Sequence, residues 1–142
     1  MTRQSYAKIL SANDTGATGA HQAGILVPKA DAKLLAFFPA LDASIMNPDA
    51  WIHCEDASGE VWEMRYVYYN NKLHVSNGTR NEYRITWMTK YLRANKAAAG
   101  DSVIFEATDE PGYYRISLAR VSRVSTVSTH GVIKLSGWRR VH

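Results

Sequence analysis

Apolar residues in this chain fall mostly into short runs of alternating period, cut by Gly, Asn, Asp and Ser. That is the pattern of a β-sandwich or barrel. The clearest run is Val61–Tyr69, where Trp62, Met64, Tyr66 and Tyr68 alternate with Val61, Glu63, Arg65, Val67 and Tyr69. The first set is the expected core face. Residues 51–55 form a second strand, joined to the first through Asp56-Ala-Ser-Gly59, a turn-rich tetrapeptide suited to a hairpin. Further strands are expected at 23–28, ended by Pro28, and at 83–87, 102–107, 113–120 and 131–138. Two stretches have helical spacing instead. Residues 30–39 offer Asp31 as an N-cap and Pro39 as a stop, and residues 90–100 join good helix formers to a terminal Gly100. The expectation is one mainly β domain over residues 1–142, with about seven strands and two short helices.

Composition narrows the classes. The 142 residues are 46% hydrophobic and 21% charged, ordinary globular values that exclude a disordered tail or a collagen. No window approaches the roughly 18 apolar residues of a membrane span, and the first residues lack the apolar core of a secretory signal. A soluble, cytoplasmic protein with no membrane partner is expected. The single cysteine, Cys54, can build neither an internal disulfide nor a Cys-rich zinc site.

The formal net charge of +4 conceals segregation. Residues 34–64 contain no Lys or Arg but carry Asp42, Asp49, Glu55, Asp56, Glu60 and Glu63. Residues 77–96 set Arg80, Arg84, Lys90, Arg93 and Lys96 against Glu82 alone, and the segment after Pro111 is purely basic. A polarised surface draws polyanions such as nucleic acid to its basic side, with the acidic stretch expected to face away. A merely solvated, polarised surface is the plain alternative.

Enzyme constellations are sparse. Pro48-Asp49 followed by Glu63-Met-Arg65 loosely matches a metal-dependent nuclease pattern in which two carboxylates hold Mg²⁺, but Arg stands where Lys is expected and Glu63 falls on the solvent face of its strand. The five histidines show no zinc-protease spacing, and neither a Gly-x-Ser-x-Gly elbow nor a phosphate loop is present.

Two polar segments carry more information. Residues 10–24, Leu-Ser-Ala-Asn-Asp-Thr-Gly-Ala-Thr-Gly-Ala-His-Gln-Ala-Gly, are too rich in Gly and Asx for regular structure. They form either a donor-rich arm or a simple tight turn. Residues 76–86 crowd Arg80, Asn81, Glu82 and Arg84 into five positions beyond an Asn77-Gly78 bend. Arg can donate twice to guanine, Asn can pair with adenine and Glu can accept from the cytosine amino group, the chemistry of major-groove reading. A surface salt-bridge cluster would have the same composition.

Both segments, with Tyr68-Tyr-Asn upstream of the second, resemble the N-terminal effector-binding domain of EcoRII-type restriction endonucleases. The resemblance covers about a quarter of the chain literally and implies a B3-like pseudobarrel, a seven-stranded open barrel with two short helices. It implies two arms gripping duplex DNA at a CCWGG-like site, without catalysis in this domain. Base contacts would come from Asn13, Asp14 and His21 of the first arm and Arg80, Asn81, Glu82 and Arg84 of the second. Backbone contacts would come from Lys8, Thr15, Thr18, Gln22, Lys72, Thr79, Tyr83, Lys90 and Arg93. The chain departs from the family pattern at Ala20, Ala23 and Tyr83, the last where a basic residue is usual, which marks a lost contact or a different target. The resemblance further implies a prokaryotic parent whose nuclease lies in a separate fused or associated domain. That domain alone would need Mg²⁺, binding would need no cofactor, and the reader by itself would be monomeric. UbaLAI-like enzymes, with a different nuclease module, are a compatible parent, and a methylated-DNA reader is an alternative within the same fold.

Overall fold

A computed structural model describes residues 3–15, 24–121 and 137–142. Eight strands are seen among them: β1 (Ser5–Ile9), β2 (Ile25–Val27), β3 (Asp49–Glu55), β4 (Val61–Tyr69), β5 (Glu82–Thr86), β6 (Ser102–Ala107), β7 (Tyr113–Ala119) and β8 (Trp138–Arg140). They make one sheet in the order β2-β5-β4-β3-β7-β6-β1-β8. All pairings are antiparallel except β3 with β7. The sheet curls so that its ends approach each other. The Trp138 indole N–H of β8 donates to the Leu26 carbonyl of β2 at 2.8 Å.

The β3–β4 hairpin forms where the alternation places it. Asp56 closes its turn by accepting from the Ser58 and Glu60 amides and from the Trp62 indole. Those bonds, the Ser58 hydroxyl's first among them, hold the Asp56 carboxyl down at about 2. Met64, Tyr66 and Tyr68 are buried as expected. Val67 on the opposite face is also buried, so the far end of β4 is covered on both sides.

Helix α1 (Ala32–Phe37) begins at Asp31, whose side chain accepts from the Leu34 amide at 3.1 Å, and stops at Phe38, which is extended ahead of Pro39. That extension drives Phe38 into the core, with ring centroids 5.0 Å from Tyr66, 5.6 Å from Tyr114 and 5.7 Å from Phe105. Helix α2 (Thr89–Ala94) is shorter than its composition suggested. It ends at Asn95, and Lys96 takes a positive φ of 51°, well before Gly100. Cys54 is wholly buried, which pushes its thiol up to about 12 and makes it a core residue. No described helix is long and apolar enough to cross a membrane.

Strand β1 was not expected. Its five residues include Ser5 and Lys8, both buried. The strand expected at 131–138 lies largely outside the described residues, and only its last residue, Trp138, falls in β8.

Candidate nucleic-acid interface

β5 carries the second polar segment and alternates cleanly. Ile85 is buried and Tyr83 packs inward, flat against Tyr68 at 4.1 Å with an interplanar angle of 3°. Glu82, Arg84 and Thr86 therefore share the outer face. There Glu82 is the hub. Its Oε1 accepts from Arg80 Nε at 2.9 Å and its Oε2 from Arg84 Nε at 2.9 Å. Burial alone would raise the Glu82 carboxyl, but the bonds and charges of the two arginines together outweigh it and leave the group below the ordinary range. The arginines are thus ordered around one carboxylate rather than splayed in solvent.

The segment leading to Arg80 is braced from beneath. A 3₁₀ turn at Asn71–Leu73 follows β4, and Asn71 Oδ1 accepts from the Arg80 amide at 2.8 Å while the Lys72 amide donates to the Arg80 carbonyl at 3.0 Å. Gly78 lies so close that an added Cβ would sit 2.2 Å from the Asn71 carbonyl oxygen. Asn70, fully buried, donates to the Ala43 and Ile45 carbonyls and exchanges backbone–side-chain bonds with Asn47. The Arg80 guanidinium lies over the Tyr69 ring, 3.7 Å from its centroid. Asn81 Oδ1 accepts from the Tyr68 hydroxyl. Tyr69 and Asn70 belong to the Tyr68-Tyr-Asn motif, but their supporting role, and Asn71 altogether, were not read from the sequence. Their signal was an aromatic pair followed by two amides at the end of a strand.

The first polar segment reaches the same place. Its last residue, Gly24, leads straight into β2, which pairs with β5 so that Leu26 opposes Arg84. Arg84 Nη1 donates to the Gly24 carbonyl at 3.0 Å, tying the two segments together. Gly24 itself has φ of 90°, and a Cβ there would meet the Ile85 carbonyl oxygen at 2.4 Å. At the other end, Asp14 accepts from the Ser11 amide and from Lys8 Nζ, the latter at 3.1 Å. Lys8 is only 7% exposed and also donates to the Ile9 carbonyl. In this conformation Lys8 and Asp14 hold the loop, whereas the family resemblance assigns both to DNA. Asn13 is exposed and Thr15 half-buried, its hydroxyl donating to the Ala12 carbonyl. Lys72, Thr79, Lys90 and Arg93 are exposed. His21, Thr18 and Gln22 lie outside the described residues.

The suspected carboxylate pair does not assemble. In the β3–β4 register Asp49 opposes Val67 while Glu63 opposes His53, four residues further along, about 13 Å of strand. Asp49 instead receives Arg65 Nε at 2.6 Å, and Glu63 lies 3.6 Å from His53. The two carboxylates cannot share one Mg²⁺ in this register. Asp49 also shares the outer face with Arg84, two strands away through Val67, so the acidic stretch is not segregated wholly to an opposite side.

The family model for the N-terminal part of restriction endonuclease EcoRII matches residues 2–104. The chain belongs to the EcoRII N-terminal family. The type II restriction enzyme EcoRII of Escherichia coli is 37% identical over 112 residues, covering 75% of this chain but 27% of that protein. Auxin response factor 22 of rice, Oryza sativa subsp. japonica, is 29% identical over 136 residues, covering 94% of this chain and 17% of that one. The chain thus spans about a quarter or less of the length of these relatives. The Arabidopsis FUS3–DNA complex matches with a TM-score of 0.60 at 22% identity, over 82% of this chain and 96% of that one. That likeness establishes the fold, a B3-like pseudobarrel, which this EcoRII N-terminal family member builds with eight strands among its described residues.

Proposed function

We propose that this domain is the sequence-specific duplex-DNA reader of a type II restriction enzyme, without catalysis of its own, and that it targets or regulates a nuclease domain fused to or associated with it. The carrying observation is the convergence of the two polar segments at the Gly24–Arg84 contact, beside an ordered Arg80–Glu82–Arg84 cluster. Such a cluster offers outward guanidinium N–H groups for guanine and a carboxylate for the cytosine amino group, which suits a C:G-rich site such as CCWGG. Family membership and the DNA complex of FUS3 support the same reading. Exposed Lys72, Lys90 and Arg93 supply phosphate contacts that position the domain without specifying sequence. Binding itself uses no metal, and any Mg²⁺ requirement belongs to the nuclease. The domain acts as a monomer in the cytoplasm of its host.

Selection from a pool of random duplexes, in buffer with and without EDTA, tests target and metal independence together. A single enriched motif, unaffected by EDTA, is expected. With about five phosphates neutralised, log K for that motif falls against log salt with a slope of roughly −4 to −5. No enrichment at low salt would refute the reading.

A further inference from the structure

An open groove of about 880 Å³ lies on the outer face of β3, β4 and β5, beside the Arg80–Glu82–Arg84 cluster, with which it shares Arg80. Trp51 and Trp87 meet in it edge to face, with ring centroids 5.2 Å apart, and Trp62 and Tyr69 line it further. Trp87 is the most exposed large apolar residue described, at 66%. Its backbone adopts φ of 64°, a strained conformation that a bulky side chain rarely takes. Burial does not offset that strain. Lys90 stands at the rim without an ion-pair partner among the described residues, and Arg80 is shared between the groove and the reading cluster.

The chemistry selects an occupant. The floor is centred on β4, laddered to β3 and β5, while β7 pairs β3 only over His53–Glu55 and β2 pairs β5 only over Tyr83–Ile85, so the open backbone lies at the outer margins and an extended peptide in the groove itself finds no free edge to pair with. Arg65, Arg80 and Lys90 line the groove against one carboxylate, Glu63, and this cationic excess disfavours the quaternary ammonium ligands that aromatic clusters otherwise attract. Paired duplex bases keep their faces stacked away from any side chain. Aromatic faces beside Lys and Arg match an unpaired nucleotide, its base stacked on indole and its phosphate at Lys90. The geometry points to a second nucleic-acid site here, one that takes single-stranded DNA through base stacking on Trp87 and Trp51. This inference goes beyond the duplex reading and stands on the groove alone.

Fluorescence anisotropy of the full chain at low salt, with a labelled eight-residue oligothymidylate, tests it. An abasic oligomer of equal length and a blunt duplex carrying the selected motif serve as comparisons. Oligothymidylate binding is expected, with the abasic oligomer about tenfold weaker or more and Trp87→Ala weakening oligothymidylate to a similar degree. Trp87→Phe retains most of the binding, and both variants hold the duplex like the parent. Equal affinity for the abasic oligomer would reduce the groove to a charge effect and overturn the proposal. Equal loss on the blunt duplex would make Trp87 part of the duplex interface, which also overturns it, as does failure to bind oligothymidylate. Glu82→Gln separates the two sites, since it weakens duplex recognition while oligothymidylate binding stays level or tightens slightly and keeps its dependence on Trp87.

Discussion

Replacing Glu82 by Gln removes one charge at nearly constant shape, and the structure gives the outcome a sign as well as a size. In the folded domain Glu82 accepts from Arg80 and Arg84 at 2.9 Å, with its side chain 27% exposed. Partial exposure places the loss in stability at about 1–2 kcal/mol, between that of surface ion pairs and buried charged hydrogen bonds. On the selected duplex the variant forfeits a charged acceptor for a cytosine amino group and the alignment of both arginines. Specific binding should weaken by roughly 1–3 kcal/mol, a factor of about 5 to 150. On random duplex the opposite holds. Removing a negative charge about 8 Å from a phosphate in water relieves roughly 0.5 kcal/mol of repulsion, so affinity stays level or tightens about twofold. Anisotropy titrations of the two duplexes, with a melting curve for each protein, measure all three quantities. Equal losses on both duplexes, or an unchanged ratio between them, would refute Glu82 as a determinant of sequence and leave it a purely structural carboxylate.

Three further outcomes follow from the same geometry. Asn70→Ala strands the Ala43 and Ile45 carbonyls and the Asn47 amide without their partner and should cost about 2–4 kcal/mol in a denaturant titration. Gly78→Ala drives a methyl into the Asn71 carbonyl, so it should shift the amide resonances of Asn71 and Arg80 and weaken specific binding more than random binding. Acid stability follows from Glu82 and Asp101, both held below their usual values, the latter by the Val121 and Ala98 amides first and by Arg120 after them. Depressed carboxyls contribute stability that is present above their unfolded values and lost as pH falls through the lowered folded ones. The melting temperature should therefore be level with respect to these two groups from pH 7 to 5 and fall below about pH 4. Asp101→Asn should flatten that fall.

How far the sequence speaks depends on whether a residue's role is local. The β3–β4 hairpin, the Asp31 cap and the Pro39 stop rest on neighbours a few positions away, and each forms where it was expected. β1 rests on distant partners. Lys8 reads as a surface cation until Asp14 and β8 enclose it, and Val67 reads as solvent-facing until the far end of β4 is covered. The candidate cluster was legible as a composition, since Arg, Asn and Glu in five positions name their chemistry. Their mutual pairing, the Tyr69 ring under Arg80 and the Arg84 strap to Gly24 arise only when β5 is laid between β2 and β4. The exposed indoles were invisible for the same reason, because Trp51 and Trp87 are 36 positions apart in sequence and meet across the sheet.

The place of β1 in the sheet bears on how the domain is made. It lies between β6 and β8, so β1, made before both, finds its two neighbours only after residues 102–107 and then 138–140 have left the ribosome. At about 5–20 residues per second, that leaves β1 waiting several seconds with both edges bare. A nascent chain halted at Val121 would carry the whole Arg80–Glu82–Arg84 cluster yet leave β1 with one edge unpaired and β2 without the indole that meets it. The pairing that encloses β1 and the bond that joins β8 to β2 are therefore completed late in translation, when Trp138 emerges, and not as the β5 cluster is made.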